Sequence, residues 1–433
     1  MMLPVRSYAV QKRLYLYLLF VAYGLIRFWG SPGDDLSSSY VGCRLLSSGA
    51  GDHLYDFHPE LFHVVDTPAW LGIAQSAHFK GFLHPYVQTP LWAWILNPLC
   101  TSLEFGPFSD IFLCAALLSL VAIVEIVARA WAGSFLRPVP LAILLVAITL
   151  STPFQYSMWI VQTHPLFLML TVLALYLAER DRPIAAGAAL AAACAVKITP
   201  GVLLVYWLVG ARRRAALWFV LLSVAIAAAT VAVVGLPLTL DYVQSMRRVS
   251  NVLLVSFNNQ SLAAWLAYSG SMGSELINWR IFPLAPALKA VCLLASVASI
   301  AFAGWMSRRK ESSGSAVALA LIGMTVFSPI AWTHYFLALI PAVMVLTNTR
   351  GVLAVLVAAT ALVLNCIPVA LDPISASMEP MTIVRSHFFS AVFLMAALVL
   401  RYAEQQWFAS SDAHEKKQES LPAAAEHPVA RDA

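Results

Sequence analysis

Long apolar runs, broken at short intervals by charged or turn-forming residues, set the pattern of this chain. A membrane span needs roughly 17–25 mostly apolar residues, and shorter helices are tolerated where protein surrounds them. The pattern therefore predicts an all-α polytopic membrane protein with about twelve transmembrane helices. Their predicted positions are near 14–30, 109–129, 138–153, 160–178, 184–196, 200–210, 215–235, 286–306, 315–331, 334–347, 352–370 and 386–402.

Two further segments are predicted to lie along the bilayer surface. Pro85 to Cys100 is apolar but is interrupted by two prolines, which favours an interfacial or re-entrant helix. From Leu240 to Val255, apolar residues recur at helical spacing opposite Arg247 and Arg248. That pattern predicts an interfacial amphipathic helix.

Composition agrees with a membrane location. The chain has 433 residues, of which 60% are hydrophobic and only 11% are charged. Soluble globular domains carry about 25% charged residues, so this chain cannot cover a water-facing surface. Its net charge of +5 is spread over many loops, and we therefore predict no nucleic-acid partner.

The distribution of basic residues predicts the orientation. With the N-terminus inside the cell, 18 of the 27 Lys and Arg residues fall in cytoplasmic segments, as the positive-inside rule requires. The first apolar run lacks a cleavage site after it and is interpreted as an uncleaved span. Residues 1–403 then form the membrane domain, with long external loops near 31–108 and 236–285 that carry the interfacial helices. Residues 404–433 are predicted to be a disordered cytoplasmic tail.

Four segments carry polar residues where a membrane span should have none. A polar or ionisable residue at membrane depth costs several kcal/mol and is usually kept for function. The predicted topology places all four on the external face, which favours a membrane-embedded active site there. The segments are Gly33–Leu36, Lys197–Pro200, Asn258–Leu262 and Ser328–Tyr335.

Each charged residue in these segments also has a structural interpretation. Asp34 and Asp35 suit a general base that deprotonates a hydroxyl, or they are a solvated cap for the following helix. Lys197 suits a lipid phosphate at the tip of a hairpin, or it extends to the headgroups. The residues alone do not decide between these roles.

The uncharged and external cationic candidates are weaker. Asn259 and Gln260 offer donors and acceptors for sugar hydroxyls, although polar triplets occur in any loop. His334, between aromatic residues, fits a sugar site or an ordinary packed histidine. The external cations could bind phosphate or face headgroups; they are Arg247, Arg248, Arg280 and Arg385.

No metal site or cofactor is predicted. His53, His58 and His63 are spaced by five, which places no two of them on one helical face as zinc helices need. The six cysteines are scattered, mostly in apolar runs, and are interpreted as core residues.

Taken in order, these segments resemble the bacterial membrane glycosyltransferases of glycosyltransferase family 87, also described as domain of unknown function 2029. These belong to the GT-C superfamily and include polyprenol-phosphate-mannose-dependent α-mannosyltransferases. The resemblance covers roughly residues 14–400. It rests on an acid before an aromatic helix, an aromatic-proline segment, and three later motifs: Asp35–Tyr40, Phe82–Leu91, Gln162, Lys197–Pro200, Asn259–Leu262 and Ser328–His334.

The resemblance implies a GT-C-like fold in the bacterial inner membrane, with both termini cytoplasmic and the site facing the periplasm or exterior. It implies inverting transfer of a hexose, mannose first, from a polyprenyl-monophosphate sugar to a lipid-linked or envelope glycan acceptor. Asp35 would be the base, with Asp34 as the alternative, and Lys197 with external arginines would hold the phosphate. His334, Asn259 and Gln260 would orient sugar or phosphate. Membrane lipids are the remaining expected partners.

The sequence departs from the family at one segment, and two rival functions remain. The family commonly has Tyr-Pro-Pro where this chain has His84-Pro85-Tyr86, which affects acceptor specificity more than reaction class. A transporter or flippase would predict paired broken helices in two related halves, which are not visible. An envelope polymer ligase using lipid pyrophosphate would require more of the arginines and less of an aspartate.

Overall fold

The computed structural model describes residues 3–57, 65–267, 279–348, 351–366 and 385–419, with backbone alone at 3–9 and 408–419. The N-terminal half consists of helices joined by loops. Its helices are α1 Leu3–Phe28, α2 Asp34–Ser47, α3 Pro68–Ser76, α4 Pro90–Ser102, α5 Phe105–Ala130, α6 Pro138–Leu150, α7 Thr152–Trp159, α8 His164–Glu179, α9 Pro183–Val196, α10 Leu204–Val209 and α11 Arg213–Val234.

The C-terminal half adds further helices and two strands. They are α12 Leu236–Val249, β1 Val252–Val255, α13 Leu262–Ala267, β2 Arg280–Pro283, α14 Pro286–Met306, α15 Ser313–Val326, α16 Ile340–Thr347, α17 Val352–Asn365 and α18 Ser386–Glu419. Short 3-10 helices occupy Gly51–His53, Gly133–Leu136, Thr199–Leu203, Lys310–Ser312 and Thr333–Leu339.

Several of these helices have the character of membrane spans. Among the described residues, α5, α11, α14 and the first part of α18 are long and apolar enough to cross a bilayer. The pair α6 and α7 adds a fifth if it is one span bent by 60°. The chain is therefore a helical membrane protein, and the number of about twelve spans stays a prediction.

Helix α15 lies at the centre of the bundle. Every residue from Gly314 to Val326 is buried, because α14, α16 and α18 pack around it. An apolar helix without a polar face is the expected core of such a bundle. This central helix ends just before the segment that carries His334.

Three predicted helices are shorter or broken in the structure. The helix predicted at 160–178 begins at His164, because Val161 adopts a left-handed backbone (φ 49°) that ends α7. The helix predicted at 315–331 stops at Val326, before Pro329, since the residue preceding a proline avoids helical geometry. The predicted helix 334–347 begins as the 3-10 segment Thr333–Leu339.

The C-terminal boundary predicted for the amphipathic helix at 240–255 was wrong. The helix runs Leu236–Val249, and the chain then forms β1, which pairs antiparallel with β2 in the register Val252 to Pro283. The molecule is therefore not purely α. The run Val252–Val255 is apolar and bounded by β-branched valines, which suit a strand as well as a helix.

Two cysteines predicted to be simple core residues are paired. Cys43 of α2 and Cys100 of α4 form a disulfide, and both are fully buried. Their separation of 57 residues gave no spacing signal, because only the packing of α2 on α4 brings them together. The remaining four cysteines are free thiols, and Cys292 is buried.

Some predicted features lie partly or wholly outside the described residues. Helix α18 continues to Glu419, into the segment predicted to be a disordered tail, and residues 420–433 lie outside the described residues. His58, His63 and residues 367–370 of one predicted helix also lie outside them.

Candidate active site

The four polar segments identified in the sequence meet at one pocket. Asp35 comes from the first, Lys197 from the second, Asn258 from the third, and Trp332, His334 and Tyr335 from the fourth. The loop between α3 and α4 and the break between α7 and α8 complete the wall. They contribute His84, Pro85, Val87, Gln88, Tyr156, Gln162 and Thr163.

Asp35 is placed by the start of α2. Gly33 adopts a left-handed conformation (φ 64°) that begins the helix, so Asp35 lies in its first turn. A carboxylate in this position is favoured by the helix dipole. Gln162 Nε2 donates a hydrogen bond to Asp35 Oδ2, and His84 Nε2 lies 3.3 Å from Oδ1. Both carboxylate oxygens therefore have partners from the pocket wall.

The environment of Asp35 prepares it for proton transfer. Burial raises the pKa of Asp35 above its ordinary value, while the charges of His84 and Lys197 act in the opposite direction. A carboxylate with a raised pKa is a stronger base than one in water, and neighbouring positive charge favours its ionised form. This combination suits abstraction of a proton from an alcohol.

Asp34 is directed away from the pocket. Its side chain is buried and lies so close to Gly81 that a Cβ there would collide with Asp34 Oδ1. Burial raises the pKa of Asp34, and the backbone of Phe82 hydrogen-bonds to the carboxyl. The two adjacent acids thus have different surroundings, and only Asp35 lines the pocket.

Lys197 follows the end of α9, and its side chain lies beside the aromatic ring of Tyr335. Its Nζ donates to the hydroxyl of Tyr335 and lies 4.0 Å from the centre of that ring. An ammonium held against an aromatic face keeps its charge at a fixed place. The position can therefore neutralise an anionic group that enters the pocket.

His334 is almost fully buried, 1% exposed, among aromatic rings. It stacks on Tyr156 with ring centres 6.1 Å apart, and its edge faces Tyr335 and His164. Neither ring nitrogen of His334 has a hydrogen-bond partner in the described part of the chain. Buried polar atoms are normally paired, so these nitrogens are available to a ligand.

Asn259 and Gln260 hold the scaffold and do not line the pocket. Asn259 Nδ2 donates to the Leu254 carbonyl, and its Oδ1 accepts from the backbone N–H of Ala331 at 2.9 Å. Gln260 Nε2 donates to the carbonyl of Phe257. These bonds tie the third polar segment to the fourth. The amide that lines the pocket is Asn258, which donates to the Tyr156 hydroxyl at 3.0 Å.

The external arginines lie elsewhere. Arg247 and Arg248 are exposed on the last turn of α12, and Arg280 is exposed at the start of β2. Arg385 is buried at the start of α18. None of the four lines this pocket.

No role was predicted from sequence for several residues of the pocket. His84 lies in the segment that departs from the family pattern, and it contacts the candidate base. Gln162 was one of the motifs of the family resemblance and was placed in a predicted helix, but the polar run Gln162–His164 marks the break between α7 and α8. Trp279 and Trp332, with ring centres 5.3 Å apart, form an aromatic wall from two distant segments. Such walls suit the apolar faces of sugars.

Within residues 3–57, 65–267, 279–348, 351–366 and 385–419, no group of three or more His, Cys, Asp or Glu side chains is close enough to hold a metal ion.

The fold and the pocket define an integral membrane protein whose candidate site combines a buried carboxylate, a cation and an aromatic wall. Residues 86–329, more than half of the chain, match glycosyltransferase family 87. The chain belongs to that family and is therefore a membrane glycosyltransferase. None of the curated proteins compared with the chain matches it.

Proposed function

We propose that this glycosyltransferase moves a hexose, most favourably mannose, from a polyprenyl-monophosphate carrier to a lipid-linked or envelope acceptor on the external face of the inner membrane. The observation that carries the proposal is the presence of Asp35 and Lys197 in one pocket. A transfer from a sugar phosphate needs a base for the acceptor and a cation for the departing phosphate.

The reaction is a direct displacement with inversion. Asp35 takes the proton of the acceptor hydroxyl as its oxygen attacks the anomeric carbon. The bond between that carbon and the phosphate oxygen breaks on the opposite side, and the leaving phosphate gains negative charge. Lys197 neutralises this charge, which strengthens an interaction as the transition state forms.

The other pocket residues orient the two substrates. Gln162 and His84 fix the two oxygens of the Asp35 carboxylate. His334 and Asn258 offer hydrogen bonds to sugar or phosphate, and Trp279 with Trp332 supplies an apolar surface. Asn259 and Gln260 act by holding this wall in place.

The disulfide supports an external site. Cys43 and Cys100 join α2, which carries Asp35, to α4. Disulfides persist in the periplasm and outside the cell, and the cytosol keeps thiols reduced. The elements that position the base are therefore expected on the oxidising side of the membrane.

The test is a transfer assay with radiolabelled polyprenyl-phosphate mannose and membrane lipids. Asp35→Asn should lower turnover by about 100-fold or more, the usual contribution of a positioned base. Asp34→Asn is the matched control, because it removes an equal charge from the neighbouring residue that faces away from the pocket, and its effect should be milder.

The fold of the variant can be checked independently. Because burial raises the pKa of Asp35, its ionised form costs folding free energy above that pKa. Asp35→Asn should therefore keep or raise the Tm at neutral pH. Turnover of Asp35→Asn close to that of the parent would exclude this residue as the base.

A further inference from the structure

A second cavity lies at the opposite end of the helical bundle. It has a volume of about 650 Å³. It is formed by the ends of α5, α8, α14 and α16, by the starts of α11 and α15, and by Arg401 within α18. Thr163, which precedes α8, lines the candidate active site, and Glu179 at the end of α8 lines this cavity. At 1.5 Å per residue, the two sites are roughly 24 Å apart. The cavity is thus separate from the transfer reaction, on the face predicted to be cytoplasmic.

The cavity carries an excess of positive charge. Two carboxylates, Glu179 and Glu311, face five cations. None of these cations has a carboxylate oxygen within 4 Å among the residues that the structure describes. The five are Arg180, Arg212, Arg308, Lys310 and Arg401.

Some of these cations have structural partners, and others do not. Arg308 donates to the Val209 carbonyl and Arg401 to the Val345 carbonyl, near the ends of α10 and α16. Arg180 stacks over an aromatic ring. Arg212 and Lys310 have no side-chain hydrogen bond in the described part of the chain, although the charge of Arg212 interacts with that of Glu179. Both cations therefore keep hydrogen-bond donors that a ligand can use.

The first turn of α15 also faces the cavity without a cap. Ser312, which precedes the helix, donates its hydroxyl to Gln405 Oε1 at 2.8 Å and does not cap the helix. Gly314 and Ser315 of this turn line the cavity. Ser315 is only 1% exposed, yet its Oγ has no hydrogen-bond partner among the described residues. The Ser313 N–H donates to the carbonyl of Lys310, so the unpartnered group at this helix start is the buried hydroxyl of Ser315. A buried hydroxyl without a partner, at the positive end of a helix and beside several cations, favours a bound phosphate.

Trp131 forms one wall of the cavity. Trp131 packs so closely on α15 that a Cβ at Gly314 would lie 2.8 Å from Trp131 Cβ. The indole Nε1 of Trp131 donates to Glu179 Oε2 at 2.8 Å, which fixes the carboxylate at the edge. The cavity therefore has a fixed shape as well as a charge.

We propose that this cavity is a binding site for a phosphate group, held by the first turn of α15, Ser315, Arg212 and Lys310. Two sources share this chemistry: the headgroup of an anionic phospholipid of the adjacent leaflet, and soluble phosphate. Basic pockets between helices on the cytoplasmic side are common sites for anionic headgroups. The inference does not depend on the identity of the sugar donor.

The test compares two double variants of equal charge. Arg212→Gln with Lys310→Gln removes the two cavity cations that make no side-chain hydrogen bond among the described residues. Arg213→Gln with Arg309→Gln removes two exposed cations that adjoin them in sequence and do not line the cavity. The full chain is reconstituted in phosphatidylcholine nanodiscs doped with phosphatidylglycerol, and retained lipid is counted by native mass spectrometry. A second arm measures binding of labelled inorganic phosphate in phosphatidylcholine discs alone.

The parent should retain phosphatidylglycerol or bind inorganic phosphate, and the arm that responds identifies the source. The cavity double should lower occupancy at least tenfold, while the control double leaves it near the parent value. Ser315→Ala, a change small enough to preserve folding, should weaken binding by about fivefold, as the loss of one hydrogen bond does. Equal losses in the two doubles, or no binding in either arm, would overturn the proposal.

Discussion

Replacement of His84 offers a direct test of how the base is tuned. His84 Nε2 lies 3.3 Å from Asp35 Oδ1, and about a quarter of each side chain is exposed (24% and 23%). The positive charge of His84 lowers the pKa of Asp35 against the effect of burial. His84→Phe removes this charge and leaves burial in place, so the pKa of Asp35 should rise.

The magnitude follows from the geometry. Two opposite unit charges 3.3 Å apart attract by about 5 kcal/mol at an effective dielectric constant of 20. Solvent reaches both side chains and screens the pair, so we take about 1.5–3 kcal/mol, the range for a hydrogen bond to a charged group. This interaction favours the ionised form of Asp35, so its loss should raise the pKa of Asp35 further.

The sign of the pH effect is fixed by the chemistry. The base acts as a carboxylate, so turnover falls as the pH drops through the pKa of Asp35. In His84→Phe this acidic limb should move to higher pH, with a smaller change on the alkaline side. The measurement is turnover against pH at saturating donor and acceptor.

A second substitution separates charge from hydrogen bonding. His84→Gln keeps a donor near Asp35 Oδ1 but is never charged, so it should show most of the shift of His84→Phe. A limb that stays at the parental pH in both variants would refute the pairing of His84 with the base. A uniform loss of turnover at every pH would instead assign His84 to substrate positioning.

The remaining predictions concern the donor site, the topology and the disulfide. Lys197→Met should lower turnover on the order of 100-fold in the donor-lipid assay, with partial retention in Lys197→Arg, since one electrostatic contact to the leaving group is lost; parental turnover in Lys197→Met would place the phosphate elsewhere. In a background without free cysteines, Gln75→Cys should react with an impermeant thiol reagent in intact cells and Arg309→Cys should not, because both are exposed but on opposite predicted faces; labelling of Arg309→Cys alone would invert the topology. Replacing Cys43 and Cys100 by alanine should lower stability by about 2–4 kcal/mol in thermal unfolding under non-reducing conditions, and an unchanged Tm would show that the crosslink does not constrain the unfolded chain.

The site could be located from sequence in part because polar residues are costly within apolar surroundings. Asp35, Lys197 and His334 each lie next to the end of an apolar run, and all three line the pocket. The residues beside them in the same motifs are also polar, so the sequence alone did not show which of them would line the pocket. Asp34 resembles Asp35, but only Asp35 lines the pocket. Asn259 resembles Asn258, but only Asn258 lines it. One step along a chain changes the direction of a side chain by about 100° in a helix.

The sequence by itself determined the membrane class, most helices and the polar segments, because each depends on local apolar content and spacing. The tertiary structure decided which distant residues meet. The pairing of His84 with Asp35, the disulfide between Cys43 and Cys100, and the antiparallel register of β1 with β2 join residues far apart in the chain. Such contacts form when whole helices and strands come together, and no local pattern in the sequence encodes them.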